Sequence, residues 1–256
     1  MHLKMPLTQA LMLGLGTWLL YVTDRILDGL REPALGVLRE RHHFHARHRT
    51  AFLATASLLG ILLAWWVLTR MGAEALRDDS WILSCALLYL CAVHGRGVGG
   101  TLPMLPKELA VAVLFSAATA VPAWCFIGGN NHRAGSGREQ LVPAVLFFAL
   151  LCWMNCVGIK KWEGAAPLAA RAVLHPSTRW AGLHLRLIVT LIAFFSMAAA
   201  ALAPSHALMA VYLAALLSSG LLLALDACSS RLSPLHVRIA ADAALLTPLA
   251  FYPLAH

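Results

Sequence analysis

Charge is scarce in this sequence. Only 12% of its 256 residues are Asp, Glu, Lys or Arg, and 60% are hydrophobic. Soluble globular chains carry about a quarter charged residues, so this scarcity excludes a water-soluble domain. Paired cysteines are also missing. The six cysteines, Cys85, Cys91, Cys125, Cys152, Cys156 and Cys228, form no C-x-x-C, and most sit inside apolar runs. A disulfide framework and a zinc site are therefore not expected, and Cys152 and Cys156, which share a helix face, are read as core packing. The glycine-rich stretch from His94 to Glu108 has no preceding strand and no G-K-[S/T], which excludes a P-loop. No helix-length repeat, soluble domain or long linker stands out, so one domain over residues 1–256 is expected. The first apolar run lacks a small-residue cleavage site followed by a soluble domain, and is read as a span rather than a signal peptide.

Long apolar runs fill the chain, and the mean hydropathy is +0.72. They cover about residues 7–24, 51–69, 81–94, 107–127, 141–159, 184–203, 206–225 and 239–255. A span needs ~20 apolar residues, so the expected fold is all-α: a polytopic membrane bundle of about eight transmembrane helices. The third run is short, and the last is interrupted by Asp242 and Pro248. The net charge of +8 does not point to nucleic acid, because the basic residues lie in short loops between spans. It points to membrane orientation and to an anionic ligand at the membrane face.

Loop charge sets the expected orientation. Fifteen of the twenty Lys and Arg fall in loops after the odd-numbered spans. By the positive-inside rule that side is cytoplasmic and both termini lie outside. The expected location is a bacterial inner membrane. Ionisable residues also collect at the cytoplasmic ends: Asp24, Asp28, Lys107, Lys161, Glu163, Arg238 and Asp242. A candidate site opening to the cytoplasm follows.

Asp24 and Asp28 stand four apart, hence on one helix face about a turn from each other. Two carboxylates at a membrane helix end are costly unless a cation lies between them. Two readings stand: pairing with nearby arginines such as Arg25 and Arg31, or a metal ion carrying an anionic ligand. Lys107 is either a snorkelling interfacial lysine or a phosphate contact. Asn155 lies a turn inside its span, where an amide needs partners. Arg238 and Asp242, at i,i+4, form a simple pair or part of a site. The histidine tract His42–His48 is read as a basic segment on headgroups, with metal binding and the gathering of an anionic substrate as alternatives.

These residues resemble motifs of the UbiA-type membrane prenyltransferase superfamily. Thr23-Asp24-Arg25-Ile26-Leu27-Asp28-Gly29 is similar to the last part of its first aspartate-rich motif, although Leu20 and Tyr21 replace the leading asparagine and aspartate. Leu105-Pro106-Lys107 resembles the end of the next cytoplasmic loop, and Val113 to Thr119 the small-residue helix after it. Asn155 and Ile159-Lys160-Lys161-Trp162-Glu163-Gly164 match the second motif in frame, with Lys161 where an aspartate is expected. The similarity covers about the first two thirds of the chain.

The resemblance implies a UbiA-like helical bundle acting as a prenyltransferase in the lipid bilayer. It implies Mg2+ on Asp24 and Asp28, bridging to an isoprenyl diphosphate whose prenyl group passes to a hydrophobic or aromatic acceptor. Asp24, Asp28 and Lys107 are then the candidate catalytic residues. Arg25, Asn155, Lys161, Glu163, Arg238 and Asp242 are the candidate substrate contacts. Lys161 either touches diphosphate in place of a second metal or marks a catalytically degenerate scaffold that binds lipid or quinone precursor. A haem-binding electron carrier using histidines such as His94, His184 or His236, and a small transporter, remain as other classes.

Overall fold

The structure is a computed structural model that describes residues 7–31, 47–94, 106–129, 134–164, 175–251 and 253. All regular structure among the described residues is helical: α1 Leu7–Arg31, α2 Arg49–Arg70, α3 Ala73–His94, α4 Lys107–Gly129, α5 Ala134–Gly164, α6 Pro176–Leu183, α7 Leu185–Ala201, α8 His206–Cys228 and α9 Pro234–Ala244. Short 3-10 turns follow at Ser229–Arg231 and Thr247–Leu249. Apolar runs in lipid have no water to satisfy their peptide groups, so each closes its hydrogen bonds within a helix.

Among the described residues, four helices are long and apolar enough to cross a membrane: α2, α4, α5 and α8. The pair α6 and α7, bent by 73°, makes a fifth if it crosses as one. The sequence reading expects about eight. α1 and α3 have the length, at 25 and 22 residues, but interrupt their apolar runs with Asp24, Arg25 and Asp28, and with Glu74, Arg77, Asp78 and Asp79. The eighth run departs most. Pro234 and the Ser233 cap start an 11-residue helix, α9, and turns around Pro248 end it. At 1.5 Å per residue α9 reaches about 16 Å, half of a ~30 Å hydrocarbon core.

The chain divides into two compact units. One holds residues 3–101 and 121–125. Here α1 packs against α2 and α3. A two-residue link, Met71 and Gly72, joins α2 to α3. α2 has no buried residue, and Leu58, Ile61, Trp65 and Leu68 stand open along it. Such a surface is untenable in water and ordinary in lipid.

The other unit holds residues 102–120 and 126–256. Its core joins Leu151, Met154 and Val157 of α5 to Leu185, Val189 and Ile192 of α7, with Leu222 of α8 and Ala244 of α9. α7 and α8 form a hairpin whose return is set by Ser205, capping Leu208 N at 3.3 Å. Tyr212 of α8 meets Phe147 of α5 edge to face, centroids 5.7 Å apart. The end of the chain is pinned to α8 by Thr247, whose Oγ1 donates to Ala214 O at 2.9 Å and lies 2.6 Å from Ser218 Oγ.

Candidate functional site

α5 and α8 end, and α4, α7 and α9 begin, at one end of the larger unit, because successive membrane helices reverse direction. Side-chain bonds link all five helices there. Glu108, in the first turn of α4, is buried; it pairs with Lys160 of α5 and accepts from Thr178 Oγ1 of α6 at 2.9 Å. Asn155 Nδ2 of α5 donates to Asp242 Oδ1 of α9 at 3.2 Å. Arg238 of α9 pairs with Glu163 of α5. Asp226 of α8 takes three donors. Lys161 Nζ and Trp162 Nε1 each reach Oδ1 at 2.8 Å, and Arg186 Nε of α7 reaches Oδ2 at 2.6 Å.

Local sequence explains the Asp226 cluster. The Asp226 side chain is only 2% exposed, so its charge needs partners. Trp162 supplies one by folding its indole back one turn along α5. That fold requires Gly158, because a Cβ there would lie 2.7 Å from the indole Cη2. Asn155 is 3% exposed, yet its carbonyl Oδ1 meets no donor among the described residues. An unsatisfied buried acceptor is uncommon and marks a place where a donor group fits.

The residues expected from the sequence are placed as follows. Asn155, Lys161, Glu163, Arg238 and Asp242 all belong to this one end of the larger unit. Arg238 and Asp242, four apart on α9, both tie across to α5. Lys161 holds Asp226, so the residue standing in place of an expected carboxylate is itself bound to one from α8. Lys107 opens α4. Asp24 and Arg25 belong to the other unit. Asp24 is buried, with Tyr89 Oη 3.4 Å from its Oδ1, and the Arg25 guanidinium lies 4.9 Å over the Tyr21 ring. α1 is continuous through residue 28, which keeps Asp24 and Asp28 at i,i+4. The Asp28 side chain, the tract His42–His45 and the loop 95–105 lie outside the described residues. So does the side chain of His94. Of the other candidate haem ligands, His184 Nδ1 lies 2.9 Å from Trp180 O, and His236 Nδ1 lies 2.7 Å from Ser233 Oγ.

Asp24 offers the hard oxygen donor that Mg2+ takes, and one or two carboxylates with phosphate and water complete an octahedron. Among the described residues no three of His, Cys, Asp and Glu converge as a metal set. The described donors thus supply one carboxylate for that ion.

Sequence reasoning missed Glu108, Asp226 and Arg186. The signal for Asp226 was present: a carboxylate directly continuing the apolar run 206–225. On another face of α8, an open apolar groove of about 400 Å3 runs between α8 and α9, lined by Leu221, Ala224, Leu225, Cys228, Ala240 and Ala244.

Fold and composition define an all-helical protein with helices fit to cross a bilayer, suited to an integral membrane protein. Comparison with protein-family models, curated proteins and solved structures finds no match.

Proposed function

We propose that the chain is an intramembrane prenyltransferase-like protein of the UbiA type, which binds an isoprenyl diphosphate and passes the prenyl group to a hydrophobic or aromatic acceptor. One observation carries the proposal. Asn155, Lys161, Glu163, Arg238 and Asp242, drawn from the second-motif frame and the last helix, gather at one end of a largely apolar bundle. An amphiphile with an apolar tail and an anionic head suits such an end. The lysine and arginine side chains attract and orient the head. Asn155 Oδ1 accepts a donor from the acceptor molecule. The apolar helices keep water from a cationic prenyl intermediate. By the same resemblance, Asp24 and Asp28 of the smaller unit would hold Mg2+, which would supply charge neutralisation for a diphosphate. The site faces the cytoplasm in this proposal, as loop charge expects.

The test is binding of geranyl and farnesyl diphosphate to the full chain in lipid nanodiscs, with and without Mg2+, followed by an acceptor screen. Mg2+-dependent binding is expected, weakened roughly tenfold or more, about 1.4 kcal/mol per decade, in Asp24→Asn/Asp28→Asn. Unchanged Mg2+-dependent binding and transfer in that double variant would remove the pair from the site. A second reading, a degenerate scaffold, is favoured by Lys161 standing in place of an aspartate and holding Asp226. Diphosphate binding without product from any acceptor would select it.

A further inference from the structure

We propose that Asp226 is a positioning residue that holds Arg186, together with Lys161, as a receptor for the phosphate of a membrane lipid. This rests on the assignment of the charged end to an anionic amphiphile, and adds two residues to it. Asp226 has more cationic partners than its own charge requires. Lys161 and the Trp162 N–H already satisfy Oδ1. Arg186 adds a second cation from α7 through Nε alone, and its side chain is 72% exposed. With its arginine so exposed, this pair is screened by solvent and adds less stability than a fully buried one. Two cations on one carboxylate leave a net positive charge. The terminal amino groups of Arg186 meet no protein acceptor among the described residues, and their planar fork matches two phosphate oxygens. Lys161 uses one of its three N–H donors on Asp226 and keeps the others.

The location points to a lipid-borne phosphate. Arg186 sits in the first turn of α7, just past the 73° bend from α6. With α7 crossing the bilayer, α6 lies close to its plane. α6 exposes Trp180 and Leu183, and Leu187 follows on α7. A tryptophan beside exposed leucines and an arginine is the composition of a headgroup boundary. The bend is held there by His184, whose ring stacks on Trp180 at 4.8 Å and whose Nδ1 reaches Trp180 O. A cation also opposes the dipole at a helix start, whereas an anion bound to it is favoured there.

An isoprenyl diphosphate and an anionic phospholipid share this chemistry, and two binding arms separate them. The full chain is titrated in detergent with farnesyl diphosphate and, separately, with phosphatidic acid, comparing wild type, Arg186→Gln and Arg179→Gln. Arg179 is an exposed arginine of α6 that does not touch Asp226, so it reports diffuse surface charge. Roughly tenfold weaker binding in Arg186→Gln, with Arg179→Gln near wild type and thermal stability unchanged in both, is expected. Loss confined to farnesyl diphosphate names the diphosphate as ligand. Binding of phosphatidic acid alone, weakened by Arg186→Gln, supports the receptor and sinks the prenyl-substrate assignment. Equal binding in Arg186→Gln and wild type overturns the receptor while leaving any farnesyl diphosphate binding intact. Equal loss in both arginine variants, or no binding of either lipid, also overturns it.

Discussion

Gly158 shows how a residue without a side chain sets a charged cluster. The Trp162 indole occupies the space where a Cβ would stand, with ring atoms at 2.7 and 3.1 Å. Gly158→Ala therefore forces the indole to move, and the Trp162 bond to Asp226 is lost. Overpacking of this kind costs about 1–3 kcal/mol. A lower thermal midpoint in detergent and altered tryptophan fluorescence are expected; an unchanged emission spectrum would mean the indole does not move. Asp226→Ala removes all three of the bonds that Asp226 accepts at once and leaves Trp162 Nε1 without its partner, while Lys161 and Arg186 keep contact with solvent, a cost of about 1–3 kcal/mol. Asp226→Ala should accordingly lower the midpoint more than Arg186→Gln, which removes one bond and leaves Asp226 with Lys161 and Trp162. These pairings were not legible in the sequence. Lys161 and Asp226 are 65 positions apart, and Arg186 and Asp226 are 40 apart. Only the packing of α5, α7 and α8 brings them together. An acid beside an apolar run flags that it needs a partner, not which partner it finds.

At the scale of elements, apolar periodicity located the helices better than their ends. The apolar run 206–225 continues as helix to Cys228, which places Asp226 inside the helix rather than after it. The run read as 184–203 is α7, but the preceding α6 went unread because it is short and only half apolar. Its start was written locally: His175 accepts from Ser177 N ahead of Pro176 at the first helical position. The join between α4 and α5 rests on another glycine. A Cβ on Gly137 would lie 2.8 Å from Ile127 Cγ2. Gly137→Ala should lower stability by about 1–3 kcal/mol, and adding Ile127→Ala should recover part of that loss. Additive losses in a double-mutant cycle would separate the two sites. The terminal turn is a third joint. Thr247→Val removes the bond to Ala214 O and leaves Ser218 Oγ without its partner, a cost of about 1–3 kcal/mol. Amide exchange should quicken around Leu245–Ala250 before it changes in α7, since α7 does not depend on that bond.

For the whole molecule, composition made the solvent plain. A chain poor in charge and rich in apolar runs is helical in lipid, and α2, with no buried residue, requires an apolar medium. The number of crossings was less legible, because hydropathy counts apolar residues and does not see where a helix stops. Residues 239–255 read as a last span, yet α9 ends at Ala244 and the chain turns at Thr247–Leu249. This difference changes parity. Eight crossings return the two termini to the same side. Among the described residues, the four crossings of α2, α4, α5 and α8 also return them to the same side, and five, with the α6–α7 pair crossing as one, leave them on opposite sides. Seven crossings, with α1 and α3 added, do the same. With the α6–α7 pair crossing as one span, opposite sides are therefore expected. Reporters that fluoresce only in the cytoplasm, fused at each terminus in turn, read this directly: one fusion should be bright and the other dark. Two dark fusions would instead place both termini outside, as the loop charges alone expect, and would mean an even number of crossings, reached either without the α6–α7 pair or with the segment after Ser233 crossing despite the shortness of α9.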